Sequence, residues 1–111
     1  MMRFQKIASL FLSDTNEVGL YQAGPTEEIK GEVILCNTST AAVACSVAWC
    51  ERGHGDNPAE AQDWIVKGIS ISGNDTKRVP VVIGAGESIR VQAGTANAIA
   101  VTLGGLSKVV I

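Results

Sequence analysis

Charge of either sign is scarce in this 111-residue chain: nine Lys and Arg face eleven Asp and Glu, 18% in all, for a formal net charge of −2. Nothing there provides the basic footprint that a phosphate backbone requires, so nucleic acid is not an expected partner. Cysteine is limited to three residues, an odd number and too few for a disulfide-stapled secreted scaffold. There is one histidine, so any Ser-His-Asp or Cys-His chemistry must pass through His54. No apolar run approaches the roughly 20 residues of a membrane-spanning helix, and no membrane association is expected. No internal repeat, heptad or low-complexity tract appears, which excludes a fibrous or solenoid architecture and leaves one domain over residues 1–111.

What is present points to a folded β-rich chain. Apolar residues make up 46% of it, the reverse of a disordered composition. The start, MMRFQKIASLFLSD, has the basic-then-apolar order of a secretion signal. Its apolar run is only about six residues, broken by Ser9, with no small-x-small cleavage pattern. Residues 1–14 are therefore expected to stay with the domain, made in a cytoplasm.

Alternation with a period of two runs from end to end. Val43, Cys45, Val47 and Trp49 alternate with Ala44, Ser46, Ala48 and Cys50. Ile65, Ile69 and Ile71 share a parity, and Ile99, Val101 and Leu103 alternate with Ala100 and Thr102. Strands are expected near 3–12, 17–22, 28–36, 42–50, 64–71, 77–83, 87–92, 97–103 and 107–111. Segment 17–22 is the one most easily taken as merely extended. This spacing predicts an all-β chain: a single antiparallel β-sandwich or barrel-like domain of about seven to nine short strands. Asn37-Thr38-Ser39 and Gly73-Asn74-Asp75 read as hairpin turns. The segment ERGHGDNPAEAQD, 51–63, is longer than a hairpin loop. Asn57 as N-cap, Pro58 at the first position and Glu60 at the third predict a helical turn over 58–62.

Each chemical possibility has a plain counterpart. All three cysteines fall within VILCNTSTAAVACSVAWC, 33–50, and Cys45, Cys50 and His54 together make C-x4-C-x3-H, a spacing that suggests zinc. Strand parity sends Cys45 and Cys50 to opposite faces, so no metal site is expected from that pair. A Cys36–Cys45 disulfide across the expected hairpin is the alternative to free thiols, and free thiols are expected. His54 lies between two glycines, a poor platform for a general base, and no catalytic residue or enzymatic activity is expected. Glu27-Glu28 and the group Asp56, Glu60 and Asp63 lack the order of a calcium loop. The GAGES stretch, 84–88, lacks the third glycine and lysine of a phosphate loop and reads as a turn. No cofactor is expected. Trp49 and Trp64 flank the long loop and are expected as core anchors; exposed, they would instead form a carbohydrate platform.

Several short patterns carry a resemblance. EVILCNTST (32–40), AAVACSVAW (41–49), AGESIRV (85–91) and AIAVTLGG (98–105) together resemble small immunoglobulin-like β-sandwich structural proteins of tailed bacteriophages. The resemblance implies a virion location and a capsid decoration or cement role, with the major capsid protein or other virion proteins as partners. By the same analogy the oligomer would be a homotrimer. A neck, tail or fibre-associated component is the alternative within the virion, and a carbohydrate-binding module the alternative outside it. Candidate partner contacts are Phe4, Leu10 and Phe11, in a segment that either forms the first strand or adds as an arm to a neighbour, and Arg52 and His54 in the long loop.

Overall fold

The alternating pattern folds into eight strands in the computed structural model, which describes residues 4–55 and 57–109. They are β1 (Phe4–Phe11), β2 (Val18–Gln22), β3 (Glu27–Asn37), β4 (Val43–Cys50), β5 (Trp64–Ile71), β6 (Thr76–Ile83), β7 (Ser88–Ala93) and β8 (Ile99–Val109). Two four-stranded sheets form, in the orders β1-β8-β3-β6 and β2-β7-β4-β5, with every neighbouring pair antiparallel. Alternate residues of the two inner faces meet in one core: Val33 and Leu35 of β3, Val47 of β4, Ile83 of β6, Val91 of β7 and Val101 of β8 are all 1% exposed or less. Each such side chain contributes about 1.5–3 kcal/mol by leaving water. A one-residue slip would turn a whole strand's set outward, which fixes the register.

Connectivity departs from the expectation of hairpins. Only β4 and β5 are joined within one sheet; every other connection crosses to the opposite sheet. Eight strands in this order make a jelly roll, so the immunoglobulin-like order is not the one adopted. The two expected hairpins are corners. β3 lies in one sheet and β4 in the other, and likewise β5 and β6. The Cys36–Cys45 bridge was argued across a hairpin that does not exist, and all three cysteines are free.

Asn37 holds the two corners together. It is fully buried, and its Nδ2 donates to the carbonyls of Ala41 (2.8 Å), Ile71 (2.9 Å) and Ser72 (3.3 Å). Its Oδ1 accepts from the Ser39 N–H (3.0 Å) and hydroxyl (2.7 Å). Backbone bonds from Asn37 N to Asp75 O and from Asn74 N to Ser39 O complete the junction.

The last two expected strands are one, β8, running through Gly104-Gly105. The glycines mark a close approach to β3, where Gly31 pairs with Gly105. A Cβ at Gly31 would lie 2.0 Å from the Gly104 carbonyl oxygen, and one at Gly105 would lie 2.6 Å from that of Lys30. In β5 the shared isoleucine parity fails. The β4–β5 register shifts along the pair, so Val66 and Ile69 pack against the core while Ile65 is 42% exposed. The helical turn forms later than expected, as a 3₁₀ turn over Ala61–Asp63 with Glu60 as N-cap. Asn57 is engaged elsewhere, donating from Nδ2 to the His54 carbonyl at 3.0 Å.

Candidate functional site

The segment carrying Phe4, Leu10 and Phe11 is the edge strand of its own sheet, paired with β8 throughout. Ile7 and Ala8 turn toward the core, whereas Phe4 (64% exposed), Phe11 (52%) and Leu10 (38%) face outward. On the same sheet, Val82 and Leu106 line a shallow, largely apolar depression of about 180 Å³ rimmed by Lys30, Lys108 and Glu28. A sheet edge and a half-apolar outer face therefore lie together on one side of the molecule.

The long loop occupies the opposite sheet. On β4 and β7 the outward positions Ala48, Cys50, Ser88 and Arg90 are all 7% exposed or less, although they lie outside the main core. The loop and Glu17 cover them. Glu17 accepts from the Arg90 guanidinium and from the Ala59 N–H (2.9 Å), tying the loop down. Burial acts to raise the Glu17 carboxyl, but the Arg90 hydrogen bond and charge and the Ala59 N–H together hold it below its usual range.

His54 is held more firmly than its two glycine neighbours suggested. Gly53 and Gly55 take φ of 85° and 65°, and this tight reversal tucks the imidazole inward until its side chain is 12% exposed. Its Nε2 lies 2.9 Å from the Asn57 carbonyl and 3.0 Å from that of Pro58, which makes Nε2 the protonated nitrogen. Nδ1 is left facing Asp63 Oδ2 at 4.0 Å. Asp63 is oriented by the Glu60 N–H (2.8 Å). Donor atoms of Cys50, His54 and Asp63 all lie within 4.8 Å of one another, the only such group among the described residues. Parity did separate Cys45 from Cys50; the residues Cys50 meets come from the loop instead.

This trio is a poor nucleophile–base pair. A catalytic imidazole would need its basic nitrogen on the thiol and its N–H on the carboxylate, whereas here the N–H is given to two backbone carbonyls. The Cys50 thiol is pushed up by burial and then by the Asp63 charge, which suppresses thiolate. Cys45 is also buried, and desolvation raises its thiol to about 11.

Arg52 lies with its Cγ against Gly86, and the residue is exposed. Phe4, Leu10 and Phe11 thus share one strand, while Arg52 and His54 lie over the other sheet. The tryptophans are not core anchors. Trp49 is 37% exposed, its Nε1 donating to Glu87 at 3.0 Å, and the Trp64 ring carries the Lys67 ammonium 3.9 Å from its centre. Among the carboxylates, Glu27 is taken up by Tyr21, Gly24 and Ser107, and Glu28 pairs with Lys108, so the two do not converge on a cation. Asp56 lies outside the described residues.

No protein-family model matches the sequence, and no curated protein matches it significantly. Among solved structures, a chain of the T13 viral particle of IBDV superposes with a TM-score of 0.55 at 10% identity, over 96% of this chain and 30% of that one. The chain shares its fold with part of a virus particle protein. A chain from the infectious bursal disease virus Gx strain gives a TM-score of 0.51 at 11% identity, over 96% of this chain and 32% of that one. A chain of the capsid of Helicobacter pylori bacteriophage KHP30 gives 0.49 at 12% identity, over 96% and 92%. The chain spans about a third of the length of the two infectious bursal disease virus chains.

Arg90 and Ser88 had no place in the sequence reading, and Asp63 entered it only in the group set aside as a calcium loop. The signal for them was the small-residue face of β4, Ala48 and Cys50, which reads as solvent-facing until something is seen to cover it.

Proposed function

We propose that the chain is a virion structural protein, acting as a capsid decoration or cement domain that bridges neighbouring subunits through protein–protein contacts. The observation that carries this reading is the strand order, β1-β8-β3-β6 over β2-β7-β4-β5, a jelly roll of the kind used in viral capsids. It is supported by a fold shared with a virus particle chain along nearly the whole of this one. The surface agrees: the β1 edge with Phe4, Leu10 and Phe11 offers unpaired backbone and apolar area to a neighbour. The partner would be the major capsid protein or another virion protein, with a homotrimer at a local threefold position. The role is structural, in keeping with an imidazole whose N–H is given to backbone carbonyls and not to a carboxylate.

The experiment adds purified protein to capsids that lack it. Saturable binding, with a rise in capsid melting temperature that is lost in Phe4→Asp/Phe11→Asp, is expected. Absence of binding to capsids, with binding to necks or tails instead, would move the protein within the virion. Jelly rolls also serve as lectins. A glycan panel that quenches Trp49 or Trp64 fluorescence, with no binding to particles, would overturn the structural role. Lys67 over the Trp64 face argues against that outcome, because it occupies the surface on which a sugar would stack.

A further inference from the structure

We propose that Cys50, His54 and Asp63 form a binding site for a divalent transition-metal ion of the zinc class, which pins the 51–63 loop to the outer face of β4. The donors are the thiolate, imidazole and carboxylate that zinc prefers, three from the protein with a fourth position left to solvent.

Geometry supports the assignment at each residue. Zinc bond lengths of about 2.0–2.3 Å in a tetrahedron set donor–donor edges of about 3.4–3.6 Å. The His54 Nδ1 to Asp63 Oδ2 separation is 4.0 Å and all edges are within 4.8 Å. Closing them requires shifts of roughly an ångström, from groups on a loop and a 3₁₀ turn. His54 already has the outer hydrogen bonds of a metal ligand: Nε2–H is fixed on backbone carbonyls, which directs the Nδ1 lone pair at the cluster. Asp63 is likewise held by the Glu60 N–H. A polar pocket of about 220 Å³, lined by Glu51, Arg52, His54, Glu60 and Asp63 among others, gives an entry path and room for water.

An independent observation lies next to the thiol. Ser88 stands opposite Cys50 in the β4–β7 register, 6% exposed. Its hydroxyl lies close enough to the Cys50 sulfur to favour the thiolate, and it has no other hydrogen-bond partner among the described residues. An orphaned buried hydroxyl there is costly beside a neutral thiol and well used beside a metal-bound thiolate, to which it can donate. On binding, the Cys50 proton leaves to solvent and the sulfur donates its electron pair to the ion; no oxidant or reductant is involved.

The experiment titrates the full chain, freed of metal, with zinc chloride by calorimetry and with cobalt chloride by absorption. One equivalent of zinc is expected to bind, and cobalt to show a thiolate-to-metal charge-transfer band. At zinc about 100-fold above Kd the melting temperature is expected to rise by roughly 10 °C. His54→Ala and Asp63→Asn leave the buried side of β4 untouched and are expected to weaken zinc by about 100-fold, and Cys50→Ser to abolish the cobalt band. Cys36→Ser, on the other sheet, is expected to change neither. No zinc binding by the unsubstituted chain, no cobalt band, or His54→Ala and Asp63→Asn binding zinc as tightly as the unsubstituted chain would each overturn the proposal. If Cys50→Ser does not fold, the other two variants decide.

Discussion

Asn37→Ala should cost this domain much of its stability, although the residue looks like an ordinary turn asparagine. Truncation leaves the Ile71 carbonyl, at 2.9 Å and fully buried, without its donor, and leaves the Ser39 N–H unpaired, while the Ser39 hydroxyl and the Ala41 carbonyl keep each other at 3.0 Å. A fully buried orphan costs about 1–3 kcal/mol, and groups that regain partial access to water cost less. The sum is about 2–4 kcal/mol, against a total of about 5–15 kcal/mol for a domain. For a chain of this length the melting temperature should fall by roughly 8–16 °C. Urea unfolding followed by tryptophan fluorescence measures it, with the midpoint moving and the slope unchanged. Asn37→Asp is the sharper control, because it keeps the acceptor for Ser39 but sets a carboxylate oxygen against the Ile71 carbonyl. It should be at least as damaging as alanine. A loss under about 1 kcal/mol for Asn37→Ala, or a stable Asn37→Asp, would refute the claim that this amide clamps the two corners.

The close β3–β8 approach makes Gly31→Ala expensive, by more than about 2 kcal/mol, because its Cβ would meet backbone that cannot swing away. Gly104→Ala, whose nearest neighbour would be at 3.7 Å, should be tolerated, and thermal melts of the pair separate packing from propensity. Burial acts to raise Glu27, but hydrogen bonds from Ser107, Tyr21 and Gly24 outweigh it and hold the carboxyl below 4.5. Its contribution is therefore present above the unfolded value and lost as pH falls through the lower folded one. Stability measured from pH 6 to 2 should drop less steeply in Glu27→Gln below about pH 4.5. Iodoacetamide should modify half-exposed Cys36 first, while Cys45 and Cys50, buried with raised thiols, should react only as the domain unfolds; peptide mass spectrometry gives the order.

The alternation of apolar residues was enough to read a sandwich and most strand limits, because burial on one face leaves a period that needs no partner. It could not supply the jelly-roll order, since period fixes a strand's face and says nothing of its neighbour. Asn37-Thr38-Ser39 and Gly73-Asn74-Asp75 show why: the same turn residues serve a hairpin within a sheet and a corner between sheets. Gly104-Gly105 read as a stop because glycine weakens an isolated strand, and only Gly31 across the pair reveals the need for it. At the loop, parity put Cys50 on the correct face. Its meeting with Asp63 depends on how twelve intervening positions fold, and no period encodes that. The tryptophans were misread because bulk and strand-end position suggest burial, whereas polar partners, Glu87 and Lys67, hold both at the surface.

The pairing of β1 with β8 bears on how the chain is made. One sheet places the first and last strands side by side, and β8 also separates β1 from β3. On a ribosome, therefore, β1 and β3 wait with open edges until β8 has been synthesised, and only β4 and β5 can pair with a sequence neighbour earlier. Loop closure over almost the whole domain must precede completion of that sheet, which predicts slow folding and a long interval of aggregation risk during synthesis.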